Sequence, residues 1–158
     1  MVRQDTSGIP AVTPERMLQG AASAVSCLGI GADDRVVIIT DLQRENIAHH
    51  VAEQAQARGA TVTALRLEDY GQRPMTAFPD PLRADLTAAL PTATFYIATA
   101  QPGEVTMRMG LLPYLTQELK VRHGQVKSQS FCKSASGVDG LVYALLVTTS
   151  SPAGALSC

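Results

Sequence analysis

The chain has 158 residues, 46% of them hydrophobic and 17% charged, and a net charge of −1 with its three histidines counted as neutral. That balance belongs to one folded domain with a real core rather than a disordered segment. Without a basic excess it also lacks the electrostatic footprint of a nucleic-acid binder.

Aromatic residues are only 4% and Trp is absent, so Ala, Val, Leu and Ile must carry the packing. The three cysteines, Cys27, Cys132 and Cys158, are odd in number and widely spaced. They imply neither a disulfide framework nor a structural zinc site, and a reduced setting is expected. The start, Met1-Val2-Arg3-Gln4-Asp5-Thr6-Ser7, is polar and has no apolar signal core. The longest apolar run, Leu141 to Val147, is far shorter than the roughly 20 helical residues that span a bilayer. The expectation is a soluble, cytoplasmic protein that does not enter a membrane.

After a lead-in over residues 1–12, Thr13-Pro14-Glu15 reads as a helix start: an N-cap, a Pro at the first helical position and an acid in the first turn. Met17, Ala21, Val25 and Leu28 then form one apolar stripe, and Gly29 and Gly31 end the helix. Arg35-Val36-Val37-Ile38-Ile39-Thr40 is β-branched and apolar without alternation, which predicts a central parallel strand buried on both faces. The helix that follows carries Ile47, Val51 and Ala55 on one side and Glu45, Glu53, Gln54 and Arg58 on the other.

Thr61 to Leu67 predicts a second strand nearer an edge, completing a right-handed βαβ unit. A charged loop, Glu68 to Pro74, leads toward a helix over Leu82–Leu90 with Leu82, Leu86 and Leu90 stacked at i+4, stopped by Pro91. Ala93 to Thr99 predicts the third strand. Val105 to Leu119 predicts a helix that Pro113 bends or restarts. Val121-Arg122-His123-Gly124 reads as a further short strand or turn. The fold class is therefore α/β: three layers, Rossmann-like, with a short, mainly parallel sheet, flanking helices and an irregular or β C-terminal tail.

The chemistry is less legible. Thr40-Asp41-Leu42-Gln43-Arg44-Glu45-Asn46 has no glycine, so a dinucleotide loop is disfavoured, and no P-loop occurs. No nucleophile elbow and no His-Glu-x-x-His is present. Asp41, at the carboxyl end of a strand, is a candidate ligand contact or a cap for the next helix. His49 and Glu53 share a helix face at i,i+4, but His50 points about 100° away, and solvated polar residues are the simpler reading. Glu104 and Arg108 have the spacing of an exposed ion pair. With Arg122 and His123 they are pocket candidates.

Gly20-Ala21-Ala22-Ser23-Ala24-Val25-Ser26-Cys27-Leu28-Gly29-Ile30, followed by Asp34-Arg35-Val36-Val37-Ile38-Ile39-Thr40-Asp41, resembles the N-terminal opening of the thermophilic metallo-aminopeptidases, the aminopeptidase T-like or leucyl aminopeptidases. Arg58-Gly59-Ala60-Thr61-Val62 is similar to their second strand entry. Gly103-Glu104-Val105-Thr106-Met107-Arg108 and Val121-Arg122-His123-Gly124 resemble two later signatures of one branch. The resemblance covers about residues 15 to 125, and its strand pieces recur in many α/β domains.

It implies a metal-dependent exopeptidase that removes N-terminal residues from a peptide substrate. Divalent metal, zinc or cobalt, is held in that family by Glu, His and Asp of a C-terminal domain and activates water. The α/β domain shapes the substrate side and supports a homodimer. No catalytic, cofactor or metal residue carries over to this chain, so the expectation is a part that is inactive alone. The alternative is a stand-alone module that binds a small polar ligand at Asp41, Glu68, Asp69 and Glu104. A structural or assembly fragment without a ligand is the third reading.

The domain is expected to span 1–124. Residues 125–158 carry only Lys127, Lys133 and Asp139 as charged groups and are rich in serine, with Leu141 to Thr149 readable as one buried strand. A frame disruption near codon 125 would produce such an ending, and so would a divergent natural β segment.

Overall fold

The computed structural model describes residues 14–99, 101–125, 148–151 and 154–157. Among the described residues four α-helices flank a sheet: α1 (Pro14–Cys27), β1 (Arg35–Thr40), α2 (Glu45–Ala57), β2 (Thr61–Arg66), α3 (Asp80–Ala89), β3 (Ala93–Ile97), α4 (Val105–Pro113) and β4 (Arg122–Gln125). Two further strands, β5 (Thr148–Ser151) and β6 (Gly154–Ser157), complete the sheet in the order β2-β1-β3-β4-β5-β6. The first four strands are all parallel, and β5 and β6 add in antiparallel fashion beyond β4.

The apolar run from Val36 to Ile39 lies between β2 and β3, and all four residues are buried. A strand covered on both faces needs no alternation, so the unbroken run and its central place have one cause. Val36 and Ile38 face α1 and α2, in a core with Val25, Leu28, Val51, Ala55 and Phe95. Val37 and Ile39 face the other layer, with Leu82, Leu86, Met107, Leu111 and Leu115. β2 is the edge strand, as its more polar sequence predicts.

Glycine ends α1 and α2 in the same way. Ile30 N–H bonds the Val25 carbonyl and Gly29 N–H bonds that of Ser26, while Ala60 and Gly59 repeat the pattern on Ala55 and Gln56. Gly29 and Gly59 have φ of +64° and +89°, the left-handed state this helix ending requires. Gly31 instead donates its N–H to Asp34 at 2.8 Å and takes no part in the cap.

The structure corrects several details. The third helix begins at Asp80, and Leu90 lies beyond its last turn, left-handed and 66% exposed, so only Leu82 and Leu86 enter the core. α4 stops at Pro113, which has no N–H to continue the ladder, and a π turn over Tyr114–Glu118 follows. Cys27 is disulfide-bonded, a pairing that the cysteine spacing does not predict. Residues 141–147 of the expected tail strand lie outside the described residues, and Thr148 and Thr149 belong to β5. Among the described residues no helix is long and apolar enough to cross a membrane.

Candidate functional site

β1 is followed by a connection to β2 on one side and is flanked by β3 on the other. The carboxyl ends of β1 and β3 therefore border the point where strand order reverses, the usual ligand crevice of an open α/β sheet. Asp41 leaves β1 there, Thr99 follows β3 and Glu104 immediately precedes α4. Arg73, from the loop between β2 and α3, fills the space between them.

The Arg73 side chain is 5% exposed, against 0% for Asp41 and 1% for Glu104. Its Nη1 donates to Asp41 Oδ2 at 2.5 Å, and its Nε and Nη2 donate to the two Glu104 oxygens at 2.8 and 2.6 Å. Nη2 also donates to the Thr99 carbonyl at 2.9 Å. Backbone N–H groups supply the rest: Thr99 and Arg44 to Asp41 at 2.7 and 2.8 Å, and Met75 to Glu104 at 3.1 Å. Glu68 stands 3.7 Å from Arg73 and accepts from Leu42 N–H at 3.3 Å.

Burial by itself pushes both carboxyls up. For Asp41 the Thr99 N–H, Arg73 and the Arg44 N–H outweigh it and hold the group below the ordinary carboxylate range. For Glu104 the bonds from Arg73 and Met75 N–H, with the Arg73 charge, do the same against the repulsion of Asp41. The bond to Glu104 first, then Asp41, raises Arg73 above its already high value. All three groups stay ionised, and their hydrogen-bonding atoms are directed at one another. The cluster is a clamp. A general base needs a lone pair aimed at a substrate, and here each carboxylate accepts three hydrogen bonds from Arg73 and backbone N–H groups, out of about four acceptor positions.

Asp41 and Glu104 thus come together as the sequence hints, but through Arg73, whose position in an aperiodic loop gave no signal beyond its proximity to a strand end. Asp41 caps the turn before α2, at Arg44, rather than the helix itself. The Glu104–Arg108 pair does not form, because Glu104 turns to Arg73. Asp69 is exposed.

Arg122 lies at the opposite end of the sheet. There it pairs with Asp34 and donates to the Leu28 and Gly29 carbonyls at 2.7 and 2.9 Å, tying β4 to the end of α1. It is not part of a pocket with Asp41. His123 is 3% exposed inside the sheet, its Nδ1 2.8 Å from the Thr94 hydroxyl. Burial, then the Arg108 charge, lowers its pKa to about 4, so the ring is neutral.

His49, exposed, and His50, half-buried, approach Glu53 on α2 at 3.3 and 3.6 Å. Among the described residues no group of three or more His, Cys, Asp or Glu is placed to hold a metal ion. The two strand-end carboxylates do not fit one either, since the Arg73 guanidinium already occupies the position a cation would take. No protein-family model matches the chain, and no curated protein matches it significantly.

Proposed function

We propose that this chain is the non-catalytic, substrate-side α/β part of a metal-dependent aminopeptidase-like protein. The clamp formed by Asp41, Arg73 and Glu104 carries the reading: at the strand ends that would hold reactive groups in a self-sufficient enzyme, the two carboxylates are committed to one guanidinium and to backbone N–H groups. The resemblance over about residues 15 to 125 supports it, because that stretch coincides with the four parallel strands and their helices. In such a protein zinc or cobalt, held outside this chain's α/β layers, supplies activated water. The residues here hold the scaffold rigid and present its edge to the peptide. The alternative of a ligand module centred on Asp41, Glu68, Asp69 and Glu104 is weaker, because the same clamp already takes three of about four acceptor positions on each buried carboxylate.

The test is hydrolysis of leucine p-nitroanilide by the whole chain with added zinc or cobalt. The expected rate is that of the metal salt without protein. Turnover that requires the chain would overturn the assignment.

A further inference from the structure

The face of the sheet that packs on α3 and α4 holds polar groups that the clamp does not use. Tyr96 lies on β3 two residues after Thr94, and Thr94 is in register with His123 on β4. All three therefore share one face. The Tyr96 hydroxyl and His123 Nε2 are both buried, and neither has a hydrogen-bond partner among the described residues. Arg108, half-buried on α4, sets its guanidinium carbon 5.5 Å from the centre of the Tyr96 ring. Its expected carboxylate, Glu104, is committed to Arg73. Buried polar atoms left unpaired are costly, and two of them near a cation that forms no ion pair among the described residues need an explanation.

We infer that Arg108, Tyr96 and His123 form a binding site for the carboxylate group of a small ligand, between α4 and the paired strands β3 and β4. The inference is independent of the peptidase reading.

The donor set fits that chemistry. Arg108 supplies a planar fork of N–H groups, and Tyr96 an O–H. If the Thr94 hydroxyl accepted from Nδ1, its own proton would be left unsatisfied. Donating to Nδ1 avoids this and puts the imidazole proton on Nε2, a third donor. The depressed His123 pKa agrees with a neutral ring that donates without adding charge.

Charge selects the class of anion. Arg108 is the single cation of the set, and burial, then the nearby Glu104 charge, pushes the Tyr96 hydroxyl up to about 12. The clamp carries two carboxylates against one guanidinium. Arg108 by itself compensates a monoanion, whereas a dianion such as phosphate keeps an uncompensated charge that the clamp's net negative charge opposes further.

The test titrates the whole chain with acetate, N-acetyl-leucyl-leucine, the same dipeptide as its C-terminal amide, and inorganic phosphate. The His123 ring nitrogen resonances and the melting temperature are followed. The expected result is a saturable shift of the Nε2 resonance with a carboxylate and none with the amide. Arg108→Gln and Tyr96→Phe should each weaken binding about tenfold. Tyr96→Phe removes one oxygen only, so it keeps the test decisive if Arg108→Gln disturbs α4.

Binding of acetate identifies a free small acid as sufficient, and binding of the dipeptide alone identifies a peptide C-terminus; both support the site. Three results would overturn it: no saturable shift up to roughly 10 mM carboxylate, affinity unchanged in both variants, or phosphate bound more tightly than carboxylate. Ordered water alone at the unpaired atoms corresponds to the first of these.

Discussion

Arg73 is one residue on which three segments depend. Replacing it with Leu leaves Asp41 and Glu104 as buried, uncompensated charges. The expected loss is about 3–5 kcal/mol of unfolding free energy, read by urea denaturation. Adding Asp41→Asn and Glu104→Gln to that variant should recover part of the loss, because the repulsion disappears with the charges. A single-variant cost below about 1 kcal/mol would show that the cluster is not the tether described.

His123 gives a pH prediction at the same scale. Its folded pKa is about 4 and its ordinary value is 6.5, so between those values the unfolded chain binds more protons. Stability therefore falls as pH drops from 6.5 toward 4, by on the order of 3 kcal/mol in all. In His123→Gln the slope across that window should flatten in pH-dependent denaturation; an unchanged slope would assign it to other groups.

Helix endings and strand placement belong to the scale of elements, and there the sequence reads well. The Val36–Ile39 run, the glycines after α1 and α2, and the acid-bearing start of α1 all act within a few residues of themselves. Gly59 shows how local and tertiary demands meet. It needs φ of +89°, and a Cβ placed on it would stand 3.0 Å from the Ala32 Cβ and 3.2 Å from its Cα. Gly59→Ala should cost about 1–3 kcal/mol, combining left-handed strain with overlap against the neighbouring turn. A melting temperature within error of the parent would remove both arguments.

Leu90 marks the limit of periodicity. Its i+4 spacing from Leu86 matches the core stripe, yet the chain leaves the helix before that turn closes, and the side chain faces water. Spacing assigns a residue to a face only while the helix continues.

At the scale of the whole molecule, two cores lie on opposite faces of one sheet, and an ion cluster joins the carboxyl ends of β1 and β3. The proposed scaffold role is what the peptidase assay tests, since turnover that requires the chain would contradict it.

The sequence alone determined the layered α/β architecture, the central strand, the edge strand and the parallel pairing of β1 with β2. These follow from hydrophobic periodicity and turn chemistry, which act over a few residues. Only the tertiary structure decided that Arg73 joins Asp41 and Glu104 from 32 and 31 residues away, that Arg122 belongs to the opposite edge, and that Tyr96 and His123 share one buried face with Arg108 set over the Tyr96 ring. A side chain's own neighbours in sequence fix the face it points to, but its partner depends on where a loop with no period of its own carries the other group.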